Sequence, residues 1–292
     1  MPTASDPAAA FAEHRDLLVG VAYRIVGQVA DAEDVVQDTW LRWSAVDAGE
    51  VRDPRAFLVT TASRLAIDRL RRRAARREDY VGEWLPEPMP TAVDPAERAA
   101  VVESISMAML VVLETLSPLE RAVYVLREAF GFSHAEIADA IDRSEPAVRQ
   151  LARRARDHVA ARRPRFDPDP ALRLQVTERF LAAAASGDVE GLLRTLAPDV
   201  ELVADGGGRV RAPRLPVRGV ARVVRFLVAV AGRPVADQRT ALVELNGGPA
   251  IIVWSGAAAV AAMSVDVADG RVTRLHLVAN PAKLARLAGP PA

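Results

Sequence analysis

The chain has 292 residues, half of them apolar, and its 38 basic and 38 acidic side chains leave no formal net charge. That length allows two or three domains of roughly 100–200 residues each, with ample apolar material for their cores. The lack of cysteine excludes disulfides, thiol catalysis and thiolate zinc sites. None of the four histidines, His14, His134, His158 and His276, stands at metal-ligand spacing from another, so no metal or cofactor is expected. Met1–Ala10 has neither the basic start nor the apolar run of a secretory signal. No apolar stretch reaches the roughly 18–20 residues that span a bilayer; Val223–Ala231 comes nearest and is interrupted by Arg225. The expectation is a cytoplasmic protein without membrane contact.

Zero net charge conceals segregation. Residues 1–50 hold nine acids and three arginines, a balance of −6. Residues 51–80 hold nine arginines and four acids (+5), and residues 143–165 eight arginines and two acids (+6). Attraction to phosphate acts within a Debye length of roughly 10 Å, so local charge decides whether a nucleic acid is a plausible partner.

In chain order, Leu17, Leu18, Val21 and Ile25 begin an all-helical stretch from about 10 to 78. Asp31-Ala-Glu-Asp opens a second helix, with Asp31 as cap and Glu33 and Asp34 suited to its positive end. Ala32, Val36, Trp40 and Trp43 form its buried stripe, leaving Glu33, Asp34, Gln37, Asp38 and Leu41 on other faces. Asp53-Pro54 is a cap followed by a first-turn proline. The helix it starts runs through Phe57, Leu58, Ala62, Leu65 and Leu70 into the arginines 69–77. Such a run can be a solvated helix end or, with Phe57, Thr60 and Thr61 ahead of it, a DNA-binding face. Pro86, Pro88 and Pro90 break residues 79–93 into a linker. Its apolar pair Trp84-Leu85 either packs on the nearest domain or serves as a docking element, and the residues leave both open. Asp94-Pro95-Ala-Glu97 opens a second helical block.

Ser117-Pro-Leu-Glu120 and Ser133-His-Ala-Glu136 are capping boxes. Ser133–Val159 reads as a helix–turn–helix: a short helix burying Ile137 and Ile141, a turn at Asp142-Arg143, then a helix capped by Ser144. Val148, Leu151, Ala152, Ala155 and Val159 are its inner stripe, leaving Arg149, Gln150, Arg153, Arg154 and Arg156 outside. Arg and Gln are side chains that can read base edges in the major groove, and the remaining arginines suit phosphates. An ordinary basic surface helix is the alternative.

PRFDPDP (164–170) is a further linker. Beyond it, helices are expected at Leu172–Ser186, Val189–Leu196 and Val220–Ala231. Strands are expected at Val200–Ala204, Thr240–Asn246, Ile251–Trp254, Ala258–Val267 and Val272–Val278. Helices followed by an antiparallel meander give an α+β domain. Asp205, Asp266 and His276 are its candidate acid–base groups. Asp205 is expected on a turn before three glycines, and His276 as a structural hydrogen-bonder.

DAEDVVQDTWLRW (31–43), DPRAFLVTTASRLAIDRLRRR (53–73) and the helix–turn–helix resemble regions two and four of extracytoplasmic-function (ECF) sigma factors of bacterial RNA polymerase. WLPEP (84–88), DGGGR (205–209) and NPAKL (280–284) resemble motifs of the subgroup with a C-terminal SnoaL-like, NTF2-type extension. Arg209 replaces that subgroup's usual Lys and Ala282 its usual Asp, which puts any salt bridge at 282 in doubt. The resemblance implies a multidomain protein. Two all-α domains, region two at 8–78 and region four at 103–165, flank a linker at 79–102, and an α+β NTF2-type regulatory domain follows at 171–288. It implies a non-enzymatic promoter-specificity factor whose partners are promoter DNA and core RNA polymerase, through the β′ clamp helices and the β flap. By resemblance, Asp31, Glu33, Asp34, Gln37, Asp38 and Leu41 would meet the polymerase. Phe57, Thr60, Thr61, Arg64, Arg69, Arg71 and Arg72 would serve the minus-ten element, and Arg143, Ser144, Arg149, Gln150, Arg153 and Arg154 the minus-thirty-five element. Trp84, Leu85, Pro86, Glu87 and Pro88 would meet Asp205, Gly206, Gly207, Gly208 and Arg209, with Asn280, Pro281, Lys283 and Leu284, in a regulatory contact. The rival is a bifunctional regulator whose C-terminal pocket binds or converts a small molecule.

Overall fold

Capping residues and apolar spacing set most helix boundaries in the computed structural model, which describes residues 7–47, 51–76, 80–91, 105–162, 169–233, 236–287 and 289. The helix start at Asp94–Glu97 and residues 164–168 of the second linker lie outside these. The described residues up to 76, with 109–162, form one compact unit; 80–91, 105–108 and everything described from 169 onward form another.

The first unit begins with α1 (Pro7–Val26), α2 (Val29–Ser44) and α3 (Pro54–Arg76). Asp53 starts α3 as expected, its carboxylate accepting from the Ala56 amide at 2.9 Å. The cap of α2 differs: Gln28 is the N-cap and Asp31 lies inside the first turn, where its charge still complements the helix dipole. The buried stripe of α2 is Ala32, Val35, Val36, Thr39 and Trp43, with Trp40 half-buried and edge-on to Phe11 at 5.1 Å.

There follow α4 (Met107–Leu113), α5 (Pro118–Tyr124), a π-helical turn at Val125–Ala129, α6 (His134–Ile141) and α7 (Glu145–Arg162). Both predicted capping boxes form, Ser117 with Glu120 and Ser133 with Glu136. Burial acts to raise the Glu120 pKa, but the Ser117 hydroxyl and amide together with Arg154 outweigh it and hold the carboxyl low. Asp142 ends α6 in the left-handed conformation, φ 54°, which short polar side chains tolerate. One buried charge cluster ties α1, α3 and α5 to the end of α4. The Glu114 carboxylate pairs with Arg73 of α3 at 3.0 Å and with Arg121 of α5. Arg121, 1 % exposed, also donates to the Arg24 carbonyl at 2.9 Å. A buried carboxylate held by two guanidiniums is strongly destabilised when either partner is removed.

The second unit contains α8 (Pro170–Ser186), α9 (Val189–Thr195), β1 (Leu196–Asp205), β2 (Val217–Arg218), α10 (Val220–Ala231), β3 (Gln238–Leu245), β4 (Gly248–Ser255), β5 (Ala258–Ala268), β6 (Arg271–Val278) and α11 (Pro281–Leu284). The sheet runs β2-β1-β6-β5-β4-β3. β3 to β6 form the expected antiparallel meander, but β1 pairs parallel to β6, so the sheet is mixed. Asp205 is the final residue of β1 and fully buried, not a turn residue. Val176 and Phe180 of α8, Leu192 of α9, and Val223 and Leu227 of α10 share a core with Leu202, Ala204, Leu275 and Leu277 of the sheet.

Residues 80–91 lie on this sheet domain. At one end, Asn246 and Met89 exchange hydrogen bonds of 2.8 and 3.1 Å, and Pro90 makes an isolated antiparallel bridge to Leu245 of edge strand β3. Proline is tolerated at such an edge because no ladder donor is needed there. At the other end, the buried Asp205 carboxylate accepts from the Leu85 amide (2.9 Å), the Tyr80 hydroxyl (2.5 Å) and the Gly207 amide (3.0 Å), and pairs with Lys283 Nζ at 2.5 Å. Lys283, 2 % exposed, also donates to the Leu85 carbonyl and sits 3.8 Å from the centre of the Trp84 ring. Leu85 is buried beneath, which stabilises docking by about 2 kcal/mol. Lys283 is the only lysine in the chain, so amine acylation reads this latch. We expect the native chain to resist labelling at Lys283. Asp205→Asn, by removing the charge partner, should raise its acylation rate at least tenfold, measured by mass spectrometry, with near-native circular dichroism.

Candidate nucleic-acid interface

The helix–turn–helix presents its basic face through packing of the opposite one. Val148, Leu151, Ala152, Ala155 and Val159 of α7 are buried, as the apolar spacing predicts. Arg149, Gln150, Arg153, Arg154 and Arg156 are therefore exposed, with Arg143 and Ser144 exposed in the turn before them. The charges are satisfied only at the surface: Arg149 with Glu145 at 2.5 Å, Arg153 with Asp157 at 3.9 Å, Arg154 with Glu120 at 3.2 Å. Arg143 donates to the Asp142 carbonyl at 2.7 Å. Exposed pairs of this kind contribute about 0–1 kcal/mol, so a phosphate can displace them.

The acidic face of α2 is also presented. Glu33, Asp34, Gln37 and Asp38 are exposed, and Leu41 is 58 % exposed, a large apolar side chain beside carboxylates. Asp31 is half-buried. Here the structure joins residues of two sets that the sequence placed apart. Arg69, placed with the DNA set by sequence, bridges Asp31 (3.3 Å) and Asp34 (2.9 Å), both placed with the polymerase set. Opposite charges on two adjacent helices satisfy each other before either meets a partner.

Along α3 the expected DNA set divides. Arg71 and Arg72 are exposed, held lightly by Asp68 through a 3.3 Å ion pair and a 3.3 Å bond to its carbonyl. Thr60 is half-buried. Thr61 is buried and its hydroxyl donates to the Phe57 carbonyl at 2.8 Å; Phe57 is half-buried, its ring tilted 5.5 Å from Trp43. Both therefore serve packing in this state. Arg64 donates from Nε to the Ala140 carbonyl and from Nη2 to the Asp139 carbonyl, each at 2.8 Å. Carbonyls at a helix C-terminus are a natural seat for a cation. Arg64 and Arg71 of α3 and Arg143 of the turn line one cleft of about 300 Å³ with Asp68 and Asp142. Sequence reading missed Arg73 as a structural arginine. It lies at helical spacing from the buried Ala66 and Leu70, which was the available signal.

The three linker-associated motifs meet around Asp205. Asn280 donates to the Tyr80 hydroxyl at 3.1 Å and accepts from the Ala282 amide at 3.1 Å. Burial, then the Asp205 carboxylate, push the Tyr80 pKa far up, the nearby Arg209 acting weakly against them; Tyr80 stays a donor. The glycines act as backbone devices. Gly207 (φ 59°) would press a Cβ into the Asn280 side chain, and Gly208 (φ 70°) would bring one within 3.1 Å of Val81 Cβ; Gly206 is buried between. Pro86, Glu87, Pro88 and Leu284 are buried, while Pro281 and Arg209 are exposed. The latch needs no carboxylate at 282, since Asp205 supplies it.

Of the acid–base candidates, His276 and Asp266 meet as a buried pair, while Asp205 is held apart from them in the latch. The bonds to Asp205 all serve the latch. His276 Nε2 lies 3.0 Å from Asp266 Oδ2, both buried. Val203, His276 and Ser264 are in register, so they face away from the core side taken by Leu202, Leu275 and Leu277.

Against this geometry, residues 10–76 match the sigma-70 region 2 family and residues 106–159 the sigma-70 region 4 family. The ECF RNA polymerase sigma factor SigJ of Mycobacterium tuberculosis is 41% identical over 283 residues, covering 92% of this chain and 90% of that protein. The "Probable ECF RNA polymerase sigma factor SigI" of M. tuberculosis is 32% identical over 286 residues, with 96% and 95% covered. The crystal structure of M. tuberculosis SigJ matches with a TM-score of 0.75 at 34% identity, covering 95% of this chain and 98% of that one. A relative of that identity along nine-tenths of both chains, and the capped helix–turn–helix with its exposed arginines, lead to one conclusion: the chain belongs to the ECF sigma factors of RNA polymerase.

Proposed function

We propose that the chain directs core RNA polymerase to particular promoters. The observation that carries this is the α7 face: Arg149, Gln150, Arg153 and Arg154 stand exposed on a helix whose other side is buried, the arrangement that major-groove reading requires. In this reading α7 contacts the minus-thirty-five element. The exposed part of α2, Glu33, Asp34, Gln37, Asp38 and Leu41, meets the polymerase clamp, and the helix–turn–helix unit meets the β flap. Arg71 and Arg72, joined by Arg64, contact the minus-ten element.

For Arg64 that contact requires α3 to leave the α6 carbonyls. The described state is then a closed one, and DNA or polymerase must displace an internal partner. A ligand shifts such an equilibrium only by its differential affinity for the two states. The C-terminal domain is regulatory and non-enzymatic in this reading: it fixes residues 80–91 through Asp205 and Lys283. Release of the latch lengthens the free connection between the two DNA-binding parts. The packing of Asp205, Asp266 and His276 supports this over a small-molecule enzyme.

Three outcomes are expected. Purified chain added to core polymerase yields promoter-dependent run-off transcripts, and their absence on every genomic promoter fragment tried counts against the proposal. Arg149→Ala with Arg153→Ala lowers that output at least tenfold while leaving polymerase binding intact in a pull-down. Arg64→Ala removes two charge-assisted bonds at a partly exposed site, lowering stability of the free chain by about 1 kcal/mol. That is about 2–4 °C in Tm, measured by calorimetry; an unchanged Tm contradicts the closed-state contact.

A further inference from the structure

The C-terminal domain carries a positive cleft that the latch does not use. Val81, Gly82, Ala204, Gly206 and Gly208 line it together with Arg209, Arg211 and Arg214; the volume is about 440 Å³. All three arginines are exposed, and among the described residues none of them forms an ion pair with a carboxylate. Their neighbours differ: Arg218 and Arg274 are both held by Glu201, at 2.8 and 2.5 Å. Three like charges lining one cleft repel one another, and its low-dielectric surroundings focus their field. Such an arrangement is relieved by an anion.

Two glycines shape the lining of the cleft. Gly208 takes φ 70° and Gly82 φ 89°, conformations that side chains rarely adopt, and a Cβ on Gly208 would crowd Val81 Cβ at 3.1 Å. Pro213 stands between Arg211 and Arg214 and restricts the chain that carries them. A guanidinium presents planar paired donors that fit phosphate oxygens two at a time.

We propose that this cleft is a phosphate-binding site, and that the phosphates belong to a nucleic-acid backbone. The extent of the charge favours a polymer over a small phosphate ester. Residues 206–236 contain seven arginines and no acid, and Arg222 and Arg225 are exposed on α10 beyond the cleft. A small ligand needs only the cleft; a strand of phosphates gains from the rest. Non-specific backbone contacts add affinity without sequence preference. The sheet domain thus contributes a DNA contact of its own, separate from α3 and α7.

The test uses the full-length chain, a fluorescent 20-base-pair duplex without promoter sequence, and Arg211→Gln with Arg214→Gln; Arg209, beside Tyr80, is left in place. Anisotropy is read across a salt series. Each phosphate contact contributes about 0.9 to the slope of log K against log salt, so the double variant should lose about 2 from that slope and bind the duplex roughly tenfold more weakly at 0.1 M salt. Arg149→Gln with Arg153→Gln should lower the slope independently, which separates this site from α7. Retained protection of Lys283 from acylation shows that the variant is folded. A second arm titrates sodium pyrophosphate into both proteins and follows Tm. A slope loss in the duplex arm supports the backbone site; pyrophosphate stabilisation confined to the wild type, with duplex binding unchanged, overturns the polymer and leaves a free phosphate compound as the source. No change in either arm overturns the proposal.

Discussion

A buried carboxylate that must be neutralised organises the C-terminal half of this protein. Asp205 ends its strand with no exposure, where an unpaired charge would cost several kcal/mol. Its requirement is met by one cation and three donors, and two of those donors, Tyr80 and the Leu85 amide, come from the connecting segment. Electrostatic neutrality at one strand end therefore fixes a segment 120 residues earlier in sequence. The chain uses arginine almost everywhere else, yet lysine here. A compact ammonium fits among the Asp205 oxygen, the Leu85 carbonyl and the Trp84 ring, whereas a planar guanidinium demands a wider, flatter set of acceptors.

Arginine elsewhere has two duties, and the acceptors that the fold brings within reach decide between them. Arg73 and Arg121 are consumed in neutralising Glu114, Arg69 in bridging two acids of α2, and Arg64 in capping carbonyls of α6. Arg149, Arg153 and Arg154 keep only solvent-screened partners. Those differences give the proposed DNA contacts an order: the α7 arginines are available at once, while Arg64 must first abandon an internal partner. The paired and unpaired arginines of the sheet domain follow the same division.

Much of this was legible in the residues. The helix–turn–helix stripe from Val148 to Val159, both capping boxes, the start at Asp53 and the span Val220–Ala231 follow from spacing and cap chemistry, which are local. What was not legible is non-local. No pattern along the chain shows that β1 lies parallel to β6, that two-residue β2 pairs at all, or that Arg69 finds Asp31 from 38 residues away. Asp205 read as a turn residue because three glycines follow it; those glycines instead admit Asn280 and Val81 at close quarters. Trp84-Leu85 signalled an apolar contact and the family resemblance set it against Asp205 and Lys283, but the buried ion pair and the hydrogen bonds that hold the segment in place are visible only in the fold.

The most direct test of the latch is a double-mutant cycle between Asp205 and Lys283, read by hydrogen exchange at the Leu85 amide, which donates to Asp205 at 2.9 Å. Asp205→Asn and Lys283→Met should each accelerate that exchange by about tenfold or more, and the double variant by far less than the product of the two, because neither orphaned charge then remains. Multiplicative effects, or an amide whose exchange ignores both substitutions, would contradict the account.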